Sequence, residues 1–263
     1  DRWLAKQVGL ERRVMTSMML APHLVNRRIL YLFDYPSEPY FYRITERLKD
    51  VEVAIPDALY DYVAPDVVAG GFATGHPSPD VGGVTRDVPA IETLLTSPDF
   101  RLVDMCDGLL LFRRDAPPEA ALVQEFSVAI SELSDGTQAS FGDLIGLVTA
   151  SIGTEADHLQ LQCAWMALAP LAEEPPLMAV SRLEGVADGR IVHLPTLVMY
   201  PTTRWEQGQV ITETFQVPLP PDMVGGAYRL LTGWYDTSSV FASRTDERSR
   251  LGEEAVIGIV MIP

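Results

Sequence analysis

The chain has 263 residues, 47% of them hydrophobic and 21% charged, with 20 prolines and 19 glycines dispersed along it, which is a globular and not a disordered composition. A formal net charge of −16 repels phosphate backbones and anionic lipid headgroups, so nucleic acid is excluded as an expected partner. No apolar run reaches the roughly 20 residues that span a bilayer, and with Asp1 first and no charged-then-apolar leader behind it, the chain reads as a piece of something longer.

The first 115 residues alternate strand-like and helix-like stretches. Residues 13–20 are β-compatible and end at Ala21-Pro22, with Pro22 suited to the first position of a short helix over 23–27. Residues 29–35 read as a second strand. Phe41, Ile44 and Leu48 then recur at helical spacing with Arg43, Glu46, Arg47 and Lys49 between them, the apolar stripe of a surface helix. A third strand is expected between 51 and 68, centred on 60–64, ahead of a Gly/Pro-rich loop at 70–83. Residues 88–95 predict a short helix with Pro89 in its first turn. Residues 100–105 and 109–112 predict two strands joined through Cys106-Asp107-Gly108, since Asp-Gly between apolar runs signals a hairpin. The expected fold of residues 1–115 is a small α/β domain, its sheet mostly parallel with a terminal antiparallel hairpin.

The segment RRDAPPEAAL, 113–122, is charged, carries two prolines and lacks periodicity, which makes it the expected boundary. From 116 to 263 the pattern has period two. Leu144, Val148, Ala150 and Ile152 are expected on one strand face, and Leu159, Leu161, Cys163 and Trp165 alternate with His158, Gln160, Gln162 and Ala164. Further strands are expected at 177–183, 191–200, 210–217, 227–235 and 255–262. Seven strands separated by turn signals describe an all-β antiparallel sandwich or jelly roll.

The serine-hydrolase elbow, the P-loop, the dinucleotide fingerprint and the HExxH motif are all missing from the sequence, and no catalytic residue is assigned. His23, His76, His158 and His193 are scattered without ligand spacing, so structural or surface roles are expected, with no metal site and no cofactor. Cys106 and Cys163 lie in apolar runs without a CxxC; two buried free thiols are expected, with an interdomain disulfide as the alternative. The glycine-rich stretch 70–77 reads as a surface loop and not a phosphate cradle, and Asp34, Asp57, Asp61 and Asp66 read as solvated acids. Trp205, Trp234, Tyr235 and the adjacent Asp236 are the candidate ligand-binding residues, because sandwich domains that bind sugars stack the ring on an aromatic face. The alternation of Tyr228, Leu230, Thr232 and Trp234 also supports core packing for Trp234, with Tyr235 on the opposite face.

Two stretches carry a resemblance. Residues 19–35, with Pro22-His23-Leu24-Val25-Asn26-Arg27, the later Asp61-Tyr62-Val63 and the hairpin from Asp107 to Arg113, are similar to the segment that follows the last membrane helices in the DUF2079 family of polytopic bacterial membrane proteins. Val25 departs from that pattern, which has a serine there. Tyr200 to Gly208, Pro218-Leu219-Pro220, Gly226-Ala227-Tyr228 and Gly233-Trp234-Tyr235-Asp236 resemble a β-sandwich appended to multi-spanning glycosyltransferase-like proteins of the lipid-phosphate-sugar type. The resemblance implies a non-catalytic region on the extracytoplasmic face of a bacterial membrane, attached through an upstream transmembrane region. The membrane domain of its own parent chain would be its partner, and a glycan its candidate ligand. An independent carbohydrate-binding module is the alternative, and an unrecognised hydrolase in the α/β half the third.

Overall fold

The computed structural model describes residues 2–33, 43–59, 88–130, 136–155, 158–186, 190–219, 223–236 and 250–262. The fold is mostly β, with three sheets and a few short helices. The chain divides into two compact units, Asp1–Leu122 and Val123–Pro263.

The first unit holds strands β1 (Val14–Thr16), β2 (Leu30–Leu32), β3 (Val53–Ile55), β4 (Arg101–Cys106) and β5 (Leu109–Arg113), with helices α1 (Arg2–Gln7), α2 (Arg43–Leu48) and α3 (Val88–Thr96). Its sheet runs β2-β1-β3-β5-β4. β1 is parallel to β2 and to β3, while β5 is antiparallel to β3 and β4. The sheet is therefore mixed, and its parallel part is confined to three strands of three residues each. Every residue of β1 and β3 is buried, as expected for strands covered on both faces. Helix α1 has no counterpart in the predicted elements. Its Leu4 joins Val8, Val14, Leu20, Leu24, Val53, Ile55 and Leu111 in one apolar cluster, and Asp104 Oδ2 fastens it by accepting from Trp3 Nε1 (3.0 Å) and Gln7 Nε2 (2.5 Å).

Three local departures from expectation have local causes. Pro22 does not open a helix over 23–27; it sits inside a 3-10 turn, Met18–His23, entered from the extended Ser17 and anchored at its end by the buried Leu24. The third strand lies at Val53–Ile55, whereas residues 60–64 and the loop 70–83 fall outside the described residues, as do Asp34, Phe41, Asp61, Asp66 and His76. The segment 113–122 stays with the first unit, because Pro118–Ala120 forms a 3-10 turn and the buried Leu122 donates its N–H to the Leu102 carbonyl at 2.8 Å. The β4–β5 hairpin turns on Asp107 and Gly108, both left-handed at φ 48° and 86°, the backbone of a two-residue primed turn. Glycine is required at 108 for a second reason: a Cβ there would lie 2.2 Å from Cβ of Leu59.

The second unit contains two antiparallel sheets. One has the order β6 (Gln124–Ile130), β12 (Gln209–Pro218), β9 (His158–Ala167), β8 (Ile145–Glu155), β7 (Ala139–Phe141); the other has the order β11 (Arg190–His193), β10 (Leu177–Leu183), β13 (Gly226–Asp236), β14 (Ala255–Ile262). The described residues hold nine strands here, two more than the seven expected, the additions being β6 and β7. β11 ends at His193 where a strand to 200 was expected, because Pro195 and a left-handed turn follow it. In β8 the register shifts between Leu147 and Thr149, leaving Val148 unpaired, so Leu147, Ala150 and Ile152 pair with Trp165, Cys163 and Leu161 on the core face. The single face expected for Leu144, Val148, Ala150 and Ile152 is thus broken by a β-bulge.

The two sheets meet through aromatic rings. Trp165 of β9 packs edge-on against Trp234 of β13 at 5.1 Å between ring centroids, and Phe141 adds an edge contact to Trp165 at 6.2 Å. Gly258 of β14 lets this sheet approach β8, since a Cβ there would meet Cδ1 of Ile152 at 2.4 Å.

Candidate functional site

Trp205, Trp234 and Tyr235 are buried, and Asp236 is half-buried at the end of β13. Trp205 packs edge-on against Trp234 at 5.9 Å and donates its indole N–H to the Tyr200 carbonyl at 3.1 Å. A sugar needs an exposed ring face, and neither indole offers one, so the two tryptophans belong to the core and not to a stacking platform. Burial of a large ring outweighs its use at a surface, which is the competing principle already visible in the β13 alternation.

Tyr235 lies on the β13 face opposite Trp234, with its ring over Gly233, where a Cβ would come within 3.2 Å of the tyrosine Cε2. Beside it Arg182 donates from Nε to both Glu254 oxygens, at 3.0 and 3.1 Å, and from Nη2 to Oε2. The guanidinium holds the Glu254 carboxyl below its ordinary range, and burial, then the Glu254 charge, pushes the Tyr235 phenol up. The structure therefore joins Trp205 to Trp234 and separates both from Tyr235.

A second constellation escaped the sequence analysis. Glu213 of β12 pairs across with Cys163 of β9 and so faces the core with Ile211 and Phe215. Its Oε2 lies 3.1 Å from His193 Nε2 and accepts the Thr196 backbone N–H at 2.6 Å, while its buried Oε1 has no partner among the described residues. The His193 ring stacks on Phe215, 4.1 Å between centroids and 15° from parallel. The segment that supplies the N–H is strained: Thr196, Leu197 and Val198 are left-handed at φ 55°, 47° and 63°, a conformation costing about 1–2 kcal/mol per non-glycine residue. Thr196 Oγ1 steadies the turn by accepting from the Tyr200 N–H at 2.8 Å and lying 2.9 Å from the Tyr200 carbonyl.

This cluster ties β11 of one sheet to β12 of the other. A carboxylate beside an imidazole has the composition of an acid–base pair, but both groups are buried and the charged turn contact is local to the fold. The nearby thiol does not act as a nucleophile: burial, then the Glu213 charge, pushes Cys163 up to about 12, the reverse of thiolate activation. Both Cys106 and Cys163 are free thiols. Among the described residues no group of three or more His, Cys, Asp and Glu side chains is arranged to hold a metal ion. One sequence signal pointed to Glu213: in 209–218 it occupies the parity of Ile211, Phe215 and Val217, a charged residue on an apolar face. No protein-family model and no curated protein matches the chain.

Proposed function

We propose that the chain is a non-catalytic, extracytoplasmic region of a bacterial membrane glycosyltransferase-like protein, an α/β domain followed by a sandwich of the jelly-roll kind, which packs on the membrane domain of its own parent. The observation that carries this reading is the edge strand β6. Phe126, Val128 and Ile130 are 42%, 40% and 80% exposed although they pair with Glu213, Ile211 and Gln209, on the sheet face that further in forms the core. An apolar edge left uncovered is an aggregation hazard, and proteins meet it by laying another surface on it. The resemblance of residues 19–35 and 200–236 to regions attached to membrane domains supplies that surface. The burial of Trp205 and Trp234 favours packing over acceptor or glycan recognition.

The test uses the full parent chain. Its upstream sequence is expected to contain several spans of about 20 apolar residues. Phe126→Ser with Ile130→Ser is expected to raise protease cleavage of this region in the detergent-solubilised parent while leaving the melting temperature of the isolated chain unchanged. Absence of such spans, or unchanged cleavage, overturns the reading. Dose-dependent binding of the isolated chain on a glycan array replaces it with the carbohydrate-binding module.

A further inference from the structure

We propose that the first unit carries a membrane-surface site: the end of its sheet at which β1, β2 and β3 begin binds an anionic phospholipid bilayer. The parallel pairing of β1 with β2 and β3 brings the lead-in segments 8–13, 24–29 and 49–52 to one end. Hydrogen bonds knit them together there, from Arg27 Nη2 to the Val8 carbonyl (2.8 Å), from the Val14 N–H to the Ile29 carbonyl (3.1 Å) and from the Glu52 N–H to the Arg13 carbonyl (2.9 Å). At this end Leu10 and Val25 stand 64% and 62% exposed.

The charge around them is positive. Arg12 and Arg13 are matched by Glu52 and Asp115, at 3.0 to 3.5 Å. Lys6, Arg28 and Lys49 are exposed and make no ion pair among the described residues, and the exposed acids near them in the chain are Glu11, Glu46 and Asp50. The same bias holds on a larger scale. Residues 1–33 carry six basic against two acidic side chains, in a chain with 20 against 36.

Two exposed aliphatic side chains on segments that also carry cations without an acidic partner match the boundary of a bilayer, where apolar groups enter the acyl layer and Lys or Arg meets phosphate. A soluble polyanion would engage the cations and leave Leu10 and Val25 in water. The acidic remainder of the chain does not cancel the attraction, because charges beyond the screening length of about 8 Å at physiological salt contribute little. The site belongs to the isolated chain and does not depend on the glycosyltransferase-like reading of its parent.

The experiment is co-sedimentation of the purified chain with vesicles of phosphatidylcholine alone and of two parts phosphatidylcholine to one part phosphatidylglycerol. Binding to the mixed vesicles is expected to exceed binding to the neutral ones by about tenfold and to weaken as salt rises. Lys6→Glu with Arg28→Glu is expected to lower it about tenfold, and Leu10→Ser with Val25→Ser about fivefold. All four side chains are exposed, so circular dichroism and melting temperature should stay at wild-type values. No sedimentation with mixed vesicles, equal binding to both, or binding untouched by either variant pair overturns the proposal. Retention on heparin without vesicle binding overturns it in favour of a soluble polyanion.

Discussion

In the first unit, the parallel strands β1 and β3, three residues each, are buried along their whole length, and contacts from outside the sheet add to them, such as the grip of α1 on Asp104. In the second, antiparallel strands of 10 and 11 residues bury alternate side chains over part of their length and meet another sheet through an aromatic seam. The charges differ too: the first unit has 13 basic and 18 acidic residues, the second 7 and 18. Short fully buried strands cannot hold themselves, so stability in the first unit is spread over many small ties. In the second it is concentrated between two sheets, where one residue matters more.

Trp165→Ala is the sharpest way to break that contrast. It removes the ring that meets both Phe141 and Trp234 and should destabilise the second unit by about 3–5 kcal/mol. Amide exchange during urea unfolding should show β9 and β13 losing protection while β3 keeps its own; equal loss in both units would erase the distinction. Glu213→Ala comes next, at about 3 kcal/mol, because it strips the partner from the His193 ring and the Thr196 N–H in a buried place. Glu213→Gln keeps an acceptor and should lose the smaller part of that stability in the same chemical melts. If Ala and Gln behave alike, the carboxylate charge and not the hydrogen bond holds the clip.

The smallest effect compares the two thiols. Burial, then Asp107 and Asp104, pushes Cys106 up to about 11, and Cys163 stands at about 12. A folded value above the unfolded one of about 8.5 means stability that is full below pH 8.5 and lost as pH rises toward those values. At pH 8 a disulfide reagent should modify both native thiols more than about 100-fold slower than the urea-unfolded chain, with Cys163 the slower of the two. Cys163 reacting faster than Cys106 in the native state would reverse the order of burial.

What was legible in the sequence follows the same division. Period two in β9, β10, β12, β13 and β14 could be read because their core faces are mostly apolar, and Asp107-Gly108 because only one turn type takes two left-handed residues. β6 was missed although Phe126, Val128 and Ile130 alternate with Ser127 and Ala129 between Pro117-Pro118 and Asp135-Gly136, because it adjoins the charged, proline-containing segment read as a boundary. The bulge at Val148 shifts the parity of one strand in its middle, which no single period can describe. Helix α1 is six residues long, too short for a stripe, and exists through tertiary contacts with Asp104 and the core. Trp205 and Trp234 show that an aromatic at a motif position says nothing of its exposure; the strand alternation was the better guide. The His193–Glu213 pair joins residues from two sheets; the apolar parity of Glu213 in β12 was legible, and its partner across the sheets was not.

The left-handed turn at Thr196–Val198 also orders events in time. An unfolded chain seldom visits three successive left-handed non-glycine residues, so nothing local nucleates this segment. The Thr196 N–H finds its acceptor only once β12 has brought Glu213 into place, 17 residues further along the chain. The connection between β11 and β12 is therefore expected to close late, after the folding barrier has been crossed. Changes there should leave the folding rate nearly untouched and appear as faster unfolding.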